Sequence, residues 1–108
     1  MPRFVKRRVL WATVSDDLTR RGKPANYSFL LECGHTRSEF HNPTSVGAVA
    51  MWSSGAVTTL GCRSCTAGQG LTYFDRLRLG RLPARALDNP EVAALWEKVK
   101  SISKSEVA

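Results

Sequence analysis

The sequence predicts a small α+β domain in which an antiparallel β-hairpin or sheet packs against a C-terminal amphipathic α-helix. Three observations support this fold class. The chain has 108 residues, of which 43% are hydrophobic and 23% are charged, and these values are typical of one globular domain. Two β-rich segments flank a short turn at residues 33–35. The last segment of the chain repeats apolar residues with the period of a helix.

The first forty residues predict strands joined by turns. The segment from Arg3 to Val14 is rich in β-forming residues and contains no Gly or Pro, so it predicts the first strand. Residues 15–25 are rich in charged residues, Gly and Pro, and they predict a turn or loop. Residues 27–32 run into the turn at 33–35 and residues 36–40 run back out, so together they predict an antiparallel hairpin.

The middle of the chain gives weaker signals. Residues 42–55 are weakly apolar and rich in small residues, and they predict no defined element. Residues 56–60 are β-rich and predict a strand that leads to Cys62. Residues 71–79 fit either a short helix or an extended arm, because the spacing of their apolar residues matches neither period well.

The C-terminal segment predicts a helix over residues 89–103. Asp88 or Asn89 suits the N-cap, and Pro90 suits the first helical position. One apolar stripe follows at helical spacing, formed by Val92, Leu95, Trp96, Val99 and Ile102. We expect this stripe to pack against the sheet rather than to dock a partner. The chain then forms a single domain over residues 1–103, followed by a frayed tail at 104–108.

Four residues have the spacing of a metal site. Cys33 and His35 are separated by one residue, and Cys62 and Cys65 form a C-x-x-C pair. Three cysteines are an odd number, so a disulfide framework would leave one thiol unpaired. A Cys₃His set is instead a standard donor set for a closed structural zinc site. We expect one structural Zn²⁺ in a core over residues 27–68, with His41 as an alternative ligand to His35.

Redox chemistry and catalysis are the other uses of such cysteines. A redox C-x-x-C pair would leave Cys33 and His35 incidental, and no Trp or thioredoxin-like βαβ pattern accompanies Cys62. A catalytic zinc needs an open position, and the chain has no H-E-x-x-H motif and no deaminase-type Glu two residues after Cys33. It also has no Gly-rich phosphate loop and no Ser nucleophile elbow. The sequence therefore predicts a protein that is not an enzyme and has no small-molecule substrate.

Two motifs carry a resemblance to a known class of protein. At Leu31-Glu32-Cys33-Gly34-His35-Thr36 and Gly61-Cys62-Arg63-Ser64-Cys65 the chain resembles small zinc-ribbon and treble-clef proteins, in particular the short uncharacterised C-G-H…C-x-x-C proteins of bacteriophages. The resemblance covers residues 27–68, and the first pair departs from the ribbon norm by its single intervening residue and its His. It implies a zinc-ribbon-like hairpin and a role in binding DNA, RNA or components of transcription and defence machinery, although fold alone does not fix function.

The net charge of +7 is concentrated in two segments. Residues 1–37 carry eight basic and three acidic groups, and residues 63–85 carry five Arg and one Asp, whereas residues 38–62 contain no Lys or Arg. Such a surface favours a polyanionic partner, and we expect DNA or RNA. The expected phosphate contacts are basic side chains of these two segments: Arg3, Lys6, Arg7, Arg8, Arg20, Arg21, Lys23, Arg63, Arg76, Arg78, Arg81 and Arg85. Four aromatic residues could stack on unpaired bases, although core packing is favoured for each of them: Trp11, Tyr27, Trp52 and Tyr73.

The leading hypothesis is therefore a non-enzymatic, zinc-ribbon-like module that binds nucleic acid, as a phage regulatory protein would. The rival is a protein-binding adaptor or an inhibitor of a host enzyme such as RNA polymerase or a defence nuclease. It is supported by the uncharged apolar stretch at residues 46–52 and by the C-terminal helix. A weaker third hypothesis is a virion or assembly component.

No apolar run approaches the roughly 18 residues that cross a bilayer, and no secretory signal is recognisable. We therefore expect no membrane partner and a cytoplasmic location, which is the cytoplasm of the bacterial host if the protein is phage-encoded.

Overall fold

The computed structural model describes residues 3–104, which form a four-stranded antiparallel sheet with helices. The strands are β1 (Val5–Val14), β2 (Asn26–Leu31), β3 (Thr36–Phe40) and β4 (Thr59–Cys62), in the order β3-β2-β1-β4. β1 pairs with β4 through residues 5–8 and with β2 through residues 9–14, so it joins two halves of the sheet. The predicted small α+β fold class is confirmed.

A bulge in β1 divides the apolar residues between two clusters. The register against β2 shifts between Val9 and Trp11. Val9 packs in the first cluster, with Phe29, whereas the next two residues, Leu10 and Trp11, both pack in the second. A strand without a bulge would send those two side chains to opposite faces. The bulge therefore lets β1 place Val9 in the first cluster and both Leu10 and Trp11 in the second.

Helix α1 (Pro43–Ser53) covers the first cluster and lies in the segment where no element was predicted. Asn42 is its N-cap, and its side chain accepts a hydrogen bond from the Ser45 N–H at 2.9 Å. The Ser45 hydroxyl in turn accepts from the Asn42 N–H at 3.2 Å. This capping box and Pro43 at the first helical position start the helix.

The second cluster is covered by the C-terminal elements. After the short α2 (Arg63–Thr66) come α3 (Tyr73–Gly80), a 3₁₀ helix (Ala84–Asp88) and α4 (Pro90–Val99). Residues 71–79 thus contain a helix rather than an arm. Asn89 is the N-cap of α4, and the helix buries Val92, Leu95 and Val99 against the sheet, as predicted.

Some boundaries differ from the predictions. α4 ends at Val99, four residues before the predicted end at 103, and the strand predicted at 56–60 begins at Thr59 and ends at Cys62. Residues 105–108 of the predicted frayed tail and the first two residues of the predicted domain lie outside the described residues. Within residues 3–104, no helix combines the length and the apolar character needed to cross a membrane.

Candidate metal centre and basic groove

The β2–β3 turn carries the first two candidate ligands. The Gly34 N–H donates to the Leu31 carbonyl at 2.8 Å, and the Leu31 N–H donates to the His35 carbonyl at 3.0 Å. Gly34 has a φ of +94°, a conformation that is strained for residues with a side chain. A Cβ atom at this position would also lie 2.8 Å from Leu71 Cδ2. The turn therefore requires glycine between Cys33 and His35.

The end of β4 and the first turn of α2 carry the other two candidate ligands, Cys62 and Cys65. Cys62 is the last residue of β4 and the N-cap of α2, and Cys65 lies within α2. The Cys65 N–H is directed at Cys62 Sγ, 3.4 Å away. The Thr66 hydroxyl accepts from the Val5 N–H and donates to the Cys62 carbonyl, both at 2.8 Å. These bonds hold the start of β1 to the C-x-x-C turn.

The four side chains converge on one point. Cys33 Sγ lies 3.7 Å from Cys62 Sγ, and His35 Nδ1 lies 3.6 Å from Cys62 Sγ and 3.5 Å from Cys65 Sγ. All four ligand atoms lie within 4.8 Å of one another, so they can hold one metal ion. The cysteines are free thiols, since the sulfurs of a disulfide would be about 2.05 Å apart. Cys33 and His35 thus belong to the same cluster as the C-x-x-C pair and are not incidental to it.

His35 is placed as a ligand and His41 is not. The His35 ring is 6% exposed, and its Nε2 lies 3.0 Å from the Gly70 carbonyl oxygen. A carbonyl only accepts, so Nε2 carries the proton and Nδ1 presents a lone pair to the thiols. His41 is exposed and its ring lies beside Tyr27, with ring centroids 5.9 Å apart. The cluster of four therefore contains His35, with His41 outside it.

The environment of the cluster separates the thiol pKa values. Burial raises the pKa of Cys33 to about 12. Burial acts in the same direction on Cys65, but hydrogen bonds from Arg7 and from the other cluster side chains outweigh it and lower its pKa to about 7. The hydrogen bond to Cys65 also raises the pKa of the Arg7 guanidinium. A metal cation at the centre would allow Cys33 to ionise as well, because metal binding displaces thiol protons.

Comparison with known proteins adds no family assignment. The chain matches no protein-family model, no curated protein and no solved structure. The resemblance to zinc-ribbon and phage proteins therefore stays a prediction, and the function has to be argued from the geometry of the molecule itself.

Three adjoining depressions run along the surface beside the cluster, and we call them together the basic groove. Their volumes are about 610, 360 and 370 Å³. The first and second share Arg37 and Gly61 in their linings, and the second and third share Thr36, Ser38 and Arg78. Neighbouring depressions share lining residues, so the three adjoin one another along the surface.

Basic residues from both charged segments line this groove. Its six basic side chains are Arg3, Lys6, Arg37, Arg63, Arg78 and Arg81. Five of them were predicted as phosphate contacts; Arg37 was counted in the charge but missed as a contact. Two acidic residues accompany them, since Glu39 lies 2.5 Å from Arg37 Nε and Asp75 lies 3.5 Å from Arg78 Nη1.

The other predicted phosphate contacts do not line the groove. The Arg7 guanidinium interacts with the Cys65 thiol, and Arg8 forms ion pairs with Glu32 and Glu91. Arg76 donates to the Ile102 carbonyl at 2.6 Å. Three more predicted contacts lie in the connection between β1 and β2: Arg20, Arg21 and Lys23. The last, Arg85, lies over the ring of Trp11, at 5.8 Å from the ring centroid.

The aromatic residues named in the sequence analysis pack in the interior, as favoured there. The rings of Trp11 and Trp52 meet edge to face at 5.3 Å, and Tyr27 is only 5% exposed. Tyr73 is partly buried beside Arg76. Three phenylalanines are exposed among the described residues, Phe4 at 37%, Phe74 at 54% and Phe40 at 79%, and the sequence predicted no role for Phe40, the most exposed of them.

Proposed function

We propose that this protein is a zinc-stabilised, non-enzymatic module that binds nucleic acid through the basic groove. One observation carries the proposal. Arginine and lysine residues from two segments separated in the sequence, 1–37 and 63–85, line the three adjoining depressions of the groove. Guanidinium groups bind phosphate through paired hydrogen bonds, and a row of them suits a repeating phosphodiester backbone.

Zinc is the metal that fits the cluster best. A tetrahedral zinc with bonds of about 2.3 Å to sulfur and about 2.0 Å to nitrogen separates two sulfurs by about 3.8 Å and sulfur from nitrogen by about 3.5 Å. The corresponding distances here are 3.7 Å between Cys33 and Cys62 and 3.6 and 3.5 Å from His35 to Cys62 and Cys65. Four protein ligands complete a tetrahedron and leave no position for water, which supports a structural rather than a catalytic ion.

The electrostatic balance of the groove supports an anionic partner. Its two carboxylates are each neutralised by a neighbouring arginine, Glu39 by Arg37 and Asp75 by Arg78. The remaining basic side chains are an excess of positive charge on one surface of a protein whose net charge is +7. Each contact to a phosphate would release counterions from the nucleic acid, so affinity would fall log-linearly with salt.

The test compares the salt dependence of binding for two variants that lose the same charge. Arg81→Gln removes a groove residue, and Arg21→Gln removes an exposed residue in the β1–β2 connection. We expect Arg81→Gln to weaken binding of a labelled oligonucleotide and to reduce the salt slope by about 1, while Arg21→Gln leaves both near the wild-type values. Absence of binding at low salt, or a binding constant that does not change with salt, would overturn the proposal.

A protein-binding adaptor is the second candidate, and helix α1 is the observation that favours it. The helix has no charged residue, and its Val46 and Met51 side chains are 41% and 48% exposed. The C-terminal helix does not add to this candidate, because its apolar stripe is buried in the second cluster. An adaptor would retain its partner after nuclease treatment and lose it on Met51→Lys, whereas nucleic-acid-dependent capture would show the opposite pattern.

The three free thiols also support the expected cytoplasmic location. A Cys₃His site needs reduced cysteines, and reducing compartments keep thiols in that state. Recovery of the protein with its zinc from the cytoplasmic fraction would agree with this proposal, and recovery in an oxidised, metal-free form from another compartment would contradict it.

A further inference from the structure

The third depression of the basic groove has a floor made by the sheet and a wall made by α3. Trp11, Leu30 and Thr36 lie opposite one another across β1, β2 and β3 and form one row of the floor. The next row consists of Thr13, Ser28 and Ser38, which are paired in the same way. The wall above these rows carries Arg78 of α3 and Arg81, which follows the helix. A polar sheet surface therefore faces a basic edge.

The hydroxyl row is available to a ligand. Among residues 3–104, no hydrogen bond from another side chain or from the backbone engages the side chains of Thr13, Ser28 or Ser38. The indole Nε1 of Trp11, in the adjacent row, is a buried donor that likewise has no partner within the described residues. Hydroxyl groups donate and accept hydrogen bonds and an indole N–H donates them, and base edges and sugars offer matching partners.

An exposed aromatic side chain continues the floor. Phe40 pairs with Asn26, in the row after the pair Ser28 and Ser38. On β3 it follows Thr36 and Ser38 at intervals of two residues, so the three side chains lie on the same face of the sheet. Its side chain is 79% exposed, the highest value among the large hydrophobic residues that the structure describes as exposed. An exposed ring next to hydroxyl groups and arginines is the arrangement on which unpaired bases stack.

The sheet floor of this depression suits an unpaired strand better than a double helix. The third depression encloses about 370 Å³, at the small end of the range of about 300–1,000 Å³ for sites that take small molecules. A duplex keeps its bases paired inside and presents only its phosphates and groove edges, so neither the floor nor Phe40 could contact a base face. An unpaired strand can place its backbone on the arginines and its bases on the sheet.

We propose that the sheet side of the basic groove holds unpaired nucleotides, with phosphates on Arg78 and Arg81, sugar or base edges on the Ser28–Ser38 row, and a base stacked on Phe40. This inference rests on the proposed nucleic-acid function and narrows it to single-stranded DNA or RNA. Stacking on an exposed aromatic ring contributes about 1–3 kcal/mol per base, which is about a fivefold change in affinity or more.

The experiment measures binding of labelled single-stranded DNA and RNA of about 12 nucleotides, and of the duplexes with the same sequences, by fluorescence anisotropy. We expect one of the single strands to bind more tightly than its duplex. Phe40→Leu should weaken that binding about fivefold or more without changing the salt slope, because stacking releases no counterions. Phe40→Trp should retain it. Leu18→Ala, which alters another exposed apolar side chain at 62% exposure, should change nothing.

The outcomes separate this inference from the function on which it rests. Tighter binding of both duplexes, or a Phe40→Leu variant with wild-type affinity for the single strand, overturns the inference and leaves nucleic-acid binding standing. Failure of single strands and duplexes alike to bind at low salt overturns both. Loss of binding in Phe40→Leu together with a lower salt slope would also overturn the inference, because it would mean that the substitution had disturbed the arginines rather than removed a stacking ring.

Discussion

His35 Nε2 donates a hydrogen bond to the carbonyl oxygen of Gly70 at 3.0 Å. This bond sets the tautomer of the ring, because the proton on Nε2 leaves Nδ1 free to face the sulfurs of Cys62 and Cys65. Partners of this kind orient the histidine ligands of metal sites. Gly70 lies in the connection between α2 and α3. The hydrogen bond therefore joins the candidate metal centre to the segment that leads into the wall of the basic groove.

The His35 tautomer is open to direct observation. In the zinc-loaded protein we expect nitrogen-detected NMR of the histidine side chains to show a protonated Nε2 and a metal-bound Nδ1 at His35. The Nε2 proton should exchange slowly with solvent, since the ring is 6% exposed and hydrogen-bonded. A His35 ring bound through Nε2, or one with a freely exchanging proton, would contradict the orientation described here.

Loss of a ligand should remove zinc and stability together. We expect His35→Gln and Cys62→Ser to bind less than one zinc per chain and to unfold at lower temperature. Structural zinc contributes about 10–16 kcal/mol in zinc-finger peptides, so even a fraction of that value would be a large loss for one domain. Elemental analysis and calorimetry measure the two effects.

The control for the ligand variants is His41→Gln, which changes the exposed histidine outside the cluster. It should retain one zinc per chain and a melting temperature close to that of the wild type. If His41→Gln loses zinc while His35→Gln keeps it, the assignment of the fourth ligand is wrong.

The metal cluster could be predicted from the sequence, whereas α1 and the groove could not. Ligand pairs in turns are local signals, so the spacing of Cys33, His35, Cys62 and Cys65 was sufficient. Helix α1 has no charged residue to mark an outer face, and its Gly and β-branched residues lower helix propensity. The helix has one start signal, Asn42-Pro43 with Ser45 three residues after the cap, and this signal is too short to predict a helix by itself.

The groove depends on relationships that no local pattern contains. Whether Arg3 and Arg81 share a surface follows from the strand order β3-β2-β1-β4 and from the packing of α3 on the sheet. The placement of Leu10 and Trp11 in the same cluster depends on the bulge between Val9 and Trp11, which puts these consecutive side chains on one face. A bulge of this kind leaves no reliable mark in a single sequence, so alternation alone assigns these residues to the wrong faces.

Arg7 should strengthen zinc binding without touching the metal. Three thiolates and one Zn²⁺ leave the centre with a net negative charge, and the Arg7 guanidinium interacts with Cys65 and lowers the pKa of that thiol. Removing a partner of this kind weakens metal binding about 10- to 100-fold in known sites. We expect Arg7→Gln to lose its zinc at a lower concentration of a competing chelator than the wild type does. The zinc affinity of Arg7→Lys, which keeps the charge, should lie between those of Arg7→Gln and the wild type.

Arg8→Gln is the matched control for that prediction. Arg8 is the next residue of β1, but it pairs with Glu32 and Glu91 rather than with the cysteines. Its substitution removes the same charge from the protein and should leave zinc affinity unchanged. Equal losses in Arg7→Gln and Arg8→Gln would assign the effect to net charge and would rule out the specific hydrogen bond to Cys65.

Two glycine-to-alanine substitutions should change stability in opposite directions. Gly34 has a φ of +94°, and a new Cβ there would lie 2.8 Å from Leu71 Cδ2 and 3.3 Å from Leu95 Cδ2, so Gly34→Ala combines backbone strain with crowding. We expect it to lower the free energy of unfolding by about 1–3 kcal/mol and to weaken zinc binding, because the turn presents Cys33 and His35.

Gly47 lies in the middle of α1 and has no atom within 4 Å of the added Cβ. Gly47→Ala should therefore raise the free energy of unfolding by up to about 1 kcal/mol with zinc affinity unchanged. Denaturant unfolding of both variants measures the difference, and a Gly34→Ala protein as stable as the wild type would show that the turn adopts another conformation.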